Sequence, residues 1–165
     1  MVLWVDAHGD FNTPSTTTTG YLGGMVLAAA CGLWLSGHGA GLRPEQVVIV
    51  GGRDFDPAEA EALKSAGVRV IAPEAVTPEA VLDAVGGAPV WLHVDWDSLE
   101  PGFVPAAYKV PGGLTPGQLR EVLASLPRDR VKGIELAEFE ATGDPQIDAA
   151  AVAQLRWIVE PLFEG

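Results

Sequence analysis

Short apolar, β-branched runs separated by helix-like stretches constrain the fold of this chain more than any other feature. The runs are VLWV (2–5), QVVIVGG (46–52), GVRVIA (67–72), PVWLHVD (89–95) and VKGIEL (131–136). Between and after them lie GMVLAAACGLWL (24–35), PAEAEALKSAG (57–67), TPEAVLDAVGG (77–87), LTPGQLREVLASL (114–126) and PQIDAAAVAQLRWIVEPLF (145–163). Thr77 and Thr115 read as N-caps with Pro78 and Pro116 at the first helical position, and Gly67 closes the second stretch. Strand and helix alternating from end to end is the pattern of a parallel sheet covered by helices. The runs are continuously apolar, as expected of strands buried on both faces. The predicted fold class is α/β, a three-layer parallel sheet flanked by helices, in one domain over residues 1–165.

In such sheets ligands gather where the carboxyl ends of the strands emerge. Asp6, His8 and Asp10 follow the first run; Asp54 and Asp56 follow the second; Asp95 and Asp97 end the fourth; Glu135 and Glu138 end the fifth. DAHGD and HVDWD each alternate their polar residues, which puts them on one face where the backbone is extended. Together they offer four carboxylates and two imidazoles at one sheet edge. Such a donor set without thiolate suits Mn, Fe or Zn, and its oxygen content leans towards Mn. Four converging carboxylates without cations would repel until some were neutral. Two divalent ions would cancel that charge and make water nucleophilic at neutral pH. An isolated D-x-D at a strand end is commonly a cap; two such stretches at neighbouring strand ends are harder to assign to capping.

Composition narrows the partners. The 165 residues carry 22 acidic against 10 basic side chains, a net charge of -12. That balance argues against nucleic acid and anionic membranes, which need a positive surface, and suits a cationic substrate or metal ions. No apolar run reaches the ~20 residues of a membrane span. The single cysteine, Cys31, excludes an internal disulfide, reads as a buried inert thiol, and favours a cytoplasmic setting. His38, in a glycine-rich stretch, is expected at the surface.

DAHGDFNTP followed by STTTTGYLGGM resembles the ureohydrolase signature of arginases, agmatinases and formimidoylglutamases. HVDWDSLEPGFVPA is similar to that family's second metal-binding stretch, GGRDFDPAE to a segment that reaches the substrate, and GIELAEFEATGD to its late glutamate motif. The resemblance implies an arginase-like fold and hydrolysis of a C–N bond in a linear guanidine or amidine substrate by a dinuclear Mn-bound hydroxide. It implies that Asp6 and Asp95 each touch both Mn2+ ions, that Asp10 completes the first, and that His8 and Asp97 serve the second. Glu138 would pair with the guanidinium or amidine. Asn12 and Thr19 would meet the substrate's distal carboxylate, and Asp56 and Glu59 the region of its amino group. Asp97, Glu138 and His93 are the residues expected to carry catalysis.

Two departures from the family pattern stand out. No Gly-Gly-x-His stretch, the source of a further metal ligand, precedes DAHGD, and Gly23 occupies the place of a loop histidine proposed to shuttle protons. His93 stands where many members have serine and could approach a metal or move protons in their stead. The resemblance therefore implies a fold lacking its N-terminal part, with an uncovered sheet edge, and a homo-oligomer or a partner that supplies the missing part is expected; the alternative is a mis-started reading frame whose full gene encodes a longer enzyme. One rival reading is a truncated or inactive homologue that binds one metal or none and acts through assembly. Another is a dinuclear phosphate-ester hydrolase, for which only Arg53 near the motifs could hold phosphate.

Overall fold

The computed structural model describes residues 1–163. Five strands, β1 (Val2–Val5), β2 (Val47–Val50), β3 (Arg69–Ile71), β4 (Val90–Asp95) and β5 (Val131–Ala137), form one all-parallel sheet in the order β3-β2-β1-β4-β5. The two motif-bearing strands lie side by side at its centre: Val5 of β1 is level with Val50 on one side and Val94 on the other. Chain order reverses at β1, and in open parallel sheets that is where a crevice opens beyond the strand ends.

Helices α1 (Val26–Ala30), α2 (Pro57–Ala66), α3 (Pro78–Val85), α4 (Pro116–Ser125) and α5 (Pro145–Val159) complete the layers. Each of the last four opens with proline, whose missing N–H is one that no helix could satisfy there. Thr77 accepts from the Ala80 amide, Thr115 from that of Gln118, and Asp144 from those of Gln146 and Ile147. On one sheet face Leu3, Val5, Val50, Leu92 and Val94 pack against α3, α4 and α5 through Val81, Leu119, Leu123 and Ile158. On the other, Trp4, Val47 and Ile49 pack against Leu27 of α1 and Leu63 of α2. Truncating a fully buried residue such as Leu92 to alanine costs about 2–5 kcal/mol, because the close-packed layers cannot collapse onto the gap.

Three expectations need correction. The first predicted helix, 24–35, shrinks to a 3₁₀ turn over Gly23–Met25 and the single turn and a half of α1. Gly32 takes φ +75°, a left-handed backbone that ends the helix, and Leu35 beyond it is almost fully exposed. Second, β5 is not buried on both faces: it is an edge strand, with Leu136 exposed and Trp91 of β4 half-exposed beside it. Third, Cys31 is a free thiol that is only partly buried, against the rim of the second core; burial and then Glu45 push its pKa up. Among the described residues no helix is long and apolar enough to cross a membrane.

Candidate metal centre and substrate cleft

Both central strands end in the same local device. The Asp6 carboxylate accepts the His8 amide at 2.7 Å, and the Asp95 carboxylate accepts the Asp97 amide at 2.9 Å. An aspartate that catches the amide two residues on stops the strand and turns the chain. The alternation of DAHGD is therefore not that of a strand, since β1 ends at Val5. Asp97 likewise lies in a 3₁₀ turn, Trp96–Ser98, and only His93 and Asp95 belong to β4. The two turns face each other, and Asp97 Oδ1 accepts the Ala7 amide at 3.2 Å across the gap between them.

The turns bring two sets of donors together. Asp6, His8 and Asp97 form one group, and Asp6, His93 and Asp95 the other, each with its donor atoms within 4.8 Å of one another. Asp6 belongs to both. His8 Nδ1 lies 3.1 Å from Asp97 Oδ2 and 3.3 Å from Asp6 Oδ1. Among the described residues His93 Nε2 is buried without a hydrogen-bond partner, while Asp97 Oδ2 is buried against the His8 ring. Asp10 lies in the same cleft but outside both groups; it sits at φ +49°, and its carbonyl accepts the Leu27 and Ala28 amides.

The protonation pattern is that of ligands without their cation. Burial raises the Asp6 pKa, and the Asp97 charge adds to it. Burial and then the Asp6 charge push Asp10 up to about 9. Burial, then Asp6 and Asp97, push Asp95 to about 8. For His8, burial opposes the charged form, but the Asp6 and Asp97 carboxylates outweigh it and raise the pKa to about 11. Burial alone would raise Asp97 too; the His8 imidazole beside it brings it below the ordinary value. A carboxylate-rich pocket that holds protons for want of positive charge, with His93 Nε2 left without a partner, fits divalent cations.

From this centre an open cleft of about 640 Å³ runs outward between the β1 and β5 loops. Glu138 sits at its mouth in a left-handed conformation, φ +60°, and accepts the Tyr21 hydroxyl at 3.4 Å. Tyr108 meets the His8 ring edge-on at 5.3 Å. Asn12, Thr19 and Asp56 line the cleft, with the Asn12 amide donating to Asp56 at 3.4 Å. Glu59 forms part of its floor, 4% exposed, where it accepts the Phe11 amide at 2.8 Å; a side chain at Gly9 would run into it. Gly23 is filled from next door, since a Cβ there would strike the Tyr21 ring. His38 is exposed and outside the cleft.

Known proteins share this sequence and fold. The family model "Arginase family" matches residues 1–160. The chain belongs to the arginase family. Among curated members it is similar to the N(omega)-hydroxy-L-arginine amidinohydrolase of Streptomyces lavendulae, 58% identical over all 165 residues, which cover 60% of that protein. The arginase of Bacillus subtilis is 33% identical over 129 residues, 69% of this chain and 44% of the relative. The crystal structure of the B. subtilis arginase superposes with a TM-score of 0.85 at 29% identity, over 99% of this chain and 61% of that one. The family member thus spans about three fifths of the first relative it matches.

Sequence reasoning missed three contributors. Tyr21 and Tyr108 reach the cleft from loops, and no periodicity marks them. Arg53, considered above only as a phosphate holder, instead donates to the carbonyls of Gly51, Asp97, Ser98, Leu99, Val110 and Pro111. Its signal was being the one cation next to a strand end crowded with aspartates.

Proposed function

We propose that this arginase-family chain hydrolyses a C–N bond of a linear guanidine or amidine substrate with the help of two Mn2+ ions. The observation that carries the reading is the pair of interlocking donor groups sharing Asp6 at the ends of β1 and β4. Asp6, Asp95, Asp97, His8 and Asp10 would hold the ions, and the oxygen-rich set suits Mn. Divalent ions in such a site supply a water nucleophile at neutral pH and polarise the group under attack.

The chain's own residues then do the rest. Glu138, at the cleft mouth, would accept hydrogen bonds from the cationic guanidinium or amidinium and aim its carbon at the centre, a charge-assisted contact of the strong kind. Asn12, Thr19, Asp56 and Glu59 would position the distal end of the substrate. Asp97, held by the Ala7 amide and beside the His8 ring, would keep its Oδ2 directed at the reacting region. A cleft bordered by Asp54, Asp56 and Glu138 repels anions and attracts cations. Arg53 gives its guanidinium to backbone carbonyls, which disfavours a phosphate-ester substrate. A homo-oligomer would cover the exposed Leu136 and Trp91 at the β5 edge, and the reading goes with a cytoplasmic setting.

The test is a substrate panel on the Mn-loaded chain: Nω-hydroxy-L-arginine, L-arginine, agmatine, a guanidino acid, formimidoylglutamate and a generic phosphate ester. Turnover of at least one guanidine or amidine, abolished by chelation and by Asp97→Asn, is expected. Turnover of the ester alone, or of nothing with metal bound, refutes the reading. The 58% identity to the Streptomyces enzyme puts Nω-hydroxy-L-arginine first in the panel.

A further inference from the structure

His93 is the one buried side chain of the centre whose surroundings the family resemblance does not explain. It sits in β4 level with Trp4 of β1 and with Glu135 of β5, so all three project from the same sheet face. The Trp4 indole stacks on the imidazole, ring centroids 3.5 Å apart and planes 7° from parallel. On the opposite side Glu135 Oε2 lies 3.2 Å from His93 Nδ1. Trp4 Nε1 meanwhile donates to Asp6 Oδ2 at 3.0 Å, so one indole braces both the histidine and the shared aspartate.

An ordinary packed strand histidine would spend both ring nitrogens on neighbours. Here a carboxylate, which only accepts, faces Nδ1 and so draws the proton to that nitrogen. Nε2 is left with its lone pair exposed to the centre. The residue is 5% exposed, and among the described residues Nε2 has no hydrogen-bond partner. It points at Asp6 Oδ2 from 3.9 Å, inside the group completed by Asp95. Two donor atoms each ~2.1 Å from one ion cannot stand more than about 4.2 Å apart, and this pair satisfies that limit. Rotating the ring by half a turn would bring carbon to Glu135 and remove both relationships at once.

We propose that His93 Nε2 is a metal ligand in the Asp6/Asp95 half of the centre, and that Glu135 is the positioning residue that holds it in its ligating tautomer. The inference rests on the metal-hydrolase reading and deepens it. Each half then holds one imidazole, His8 or His93, beside carboxylates that meet at Asp6. One nitrogen in each half moves the preference from Mg2+ and Ca2+ towards Mn2+, Zn2+ and related ions. A carboxylate behind a ligating imidazole is the usual way to fix such a ring and strengthen its donor.

The experiment reads the imidazoles directly, on the unaltered chain and without any assay. With His8, His38 and His93 the only histidines, long-range 1H–15N correlation spectra resolve each ring. Diamagnetic Zn2+ serves as the probe. Expected on titration is a ligation shift of His93 Nε2 together with a shift of a His8 nitrogen, while His38 stays put. A His8 response with His93 unmoved would overturn the assignment and leave the metal reading intact. Response from neither ring would end both. Glu135→Ala is expected to weaken Zn2+ binding at the His93 half about tenfold, and Glu135→Gln, which still accepts from Nδ1, to recover most of it. Equal affinity in all three chains would remove Glu135 from the proposal.

Discussion

Arg53 Nη2 donates to the Asp97 carbonyl oxygen at 2.9 Å, and that bond ties the end of β2 to the turn that carries a candidate ligand. The same guanidinium reaches the Val110 carbonyl at 2.7 Å and so also pins the loop over Leu99. A planar fork that fills several carbonyls at once cannot be imitated by a single ammonium. Arg53→Lys is therefore expected to lose about 1.5–3 kcal/mol of stability, the scale of losing charge-assisted hydrogen bonds. Urea denaturation checks this, and a lysine variant as stable as the parent would remove Arg53 from the framework of the site.

The acid–base pattern makes stability depend on pH in a defined direction. Asp10 and Asp95 stand at about 9 and about 8 when folded, against 3.8 for an ordinary aspartate. Folding that raises a pKa contributes stability that is complete below the unfolded value and is lost as pH climbs through the folded one. His8, raised from 6.5 to about 11, acts in the same sense at higher pH. Asp97, lowered, acts oppositely but only at acid pH. The Tm of the metal-free chain should fall between about pH 6 and pH 9. Because ligands must shed protons to bind, Mn2+ should release protons and flatten that fall. Thermal scans with and without Mn2+ test it; a metal-free Tm that rises across this range contradicts it.

Glu138 offers a third test. Its carboxylate stands at the cleft mouth with one hydrogen bond, from Tyr21, and free capacity to accept more. Glu138→Gln removes the charge while keeping the shape. The KM for a cationic guanidine or amidine should rise tenfold or more, the scale of a hydrogen bond to a charged group. Metal content should not change. An unaltered KM would place the substrate elsewhere.

How much of this was legible in the sequence follows from where each signal lives. The five strands were readable because short apolar, β-branched runs such as VVIV alternate with helix-like stretches, the pattern of a parallel sheet, and proline and threonine marked the helix starts. Asp6 and Asp95 were readable for the same reason, being the first polar residues after such runs. The role of alternation was misread: it suggests extended backbone, whereas side-chain capping by Asp6 and Asp95 bends the chain at once. The 24–35 helix failed because apolar periodicity cannot see that Gly32 turns left-handed. The pairing of His93 with Trp4 and Glu135 required strand register, which no single run contains. Tyr21, Tyr108 and Arg53 act across loops from 44 to 117 residues away in sequence, beyond any local pattern.

The most direct test of the central claim is the manganese content per chain after Mn2+ loading and exhaustive removal of free metal, in the parent and in Asp6→Ala. Asp6 is common to both donor groups, so the account predicts two ions in the parent and the loss of both from the variant. A parent chain that retains one ion or none, or an Asp6→Ala chain that keeps two, would contradict it.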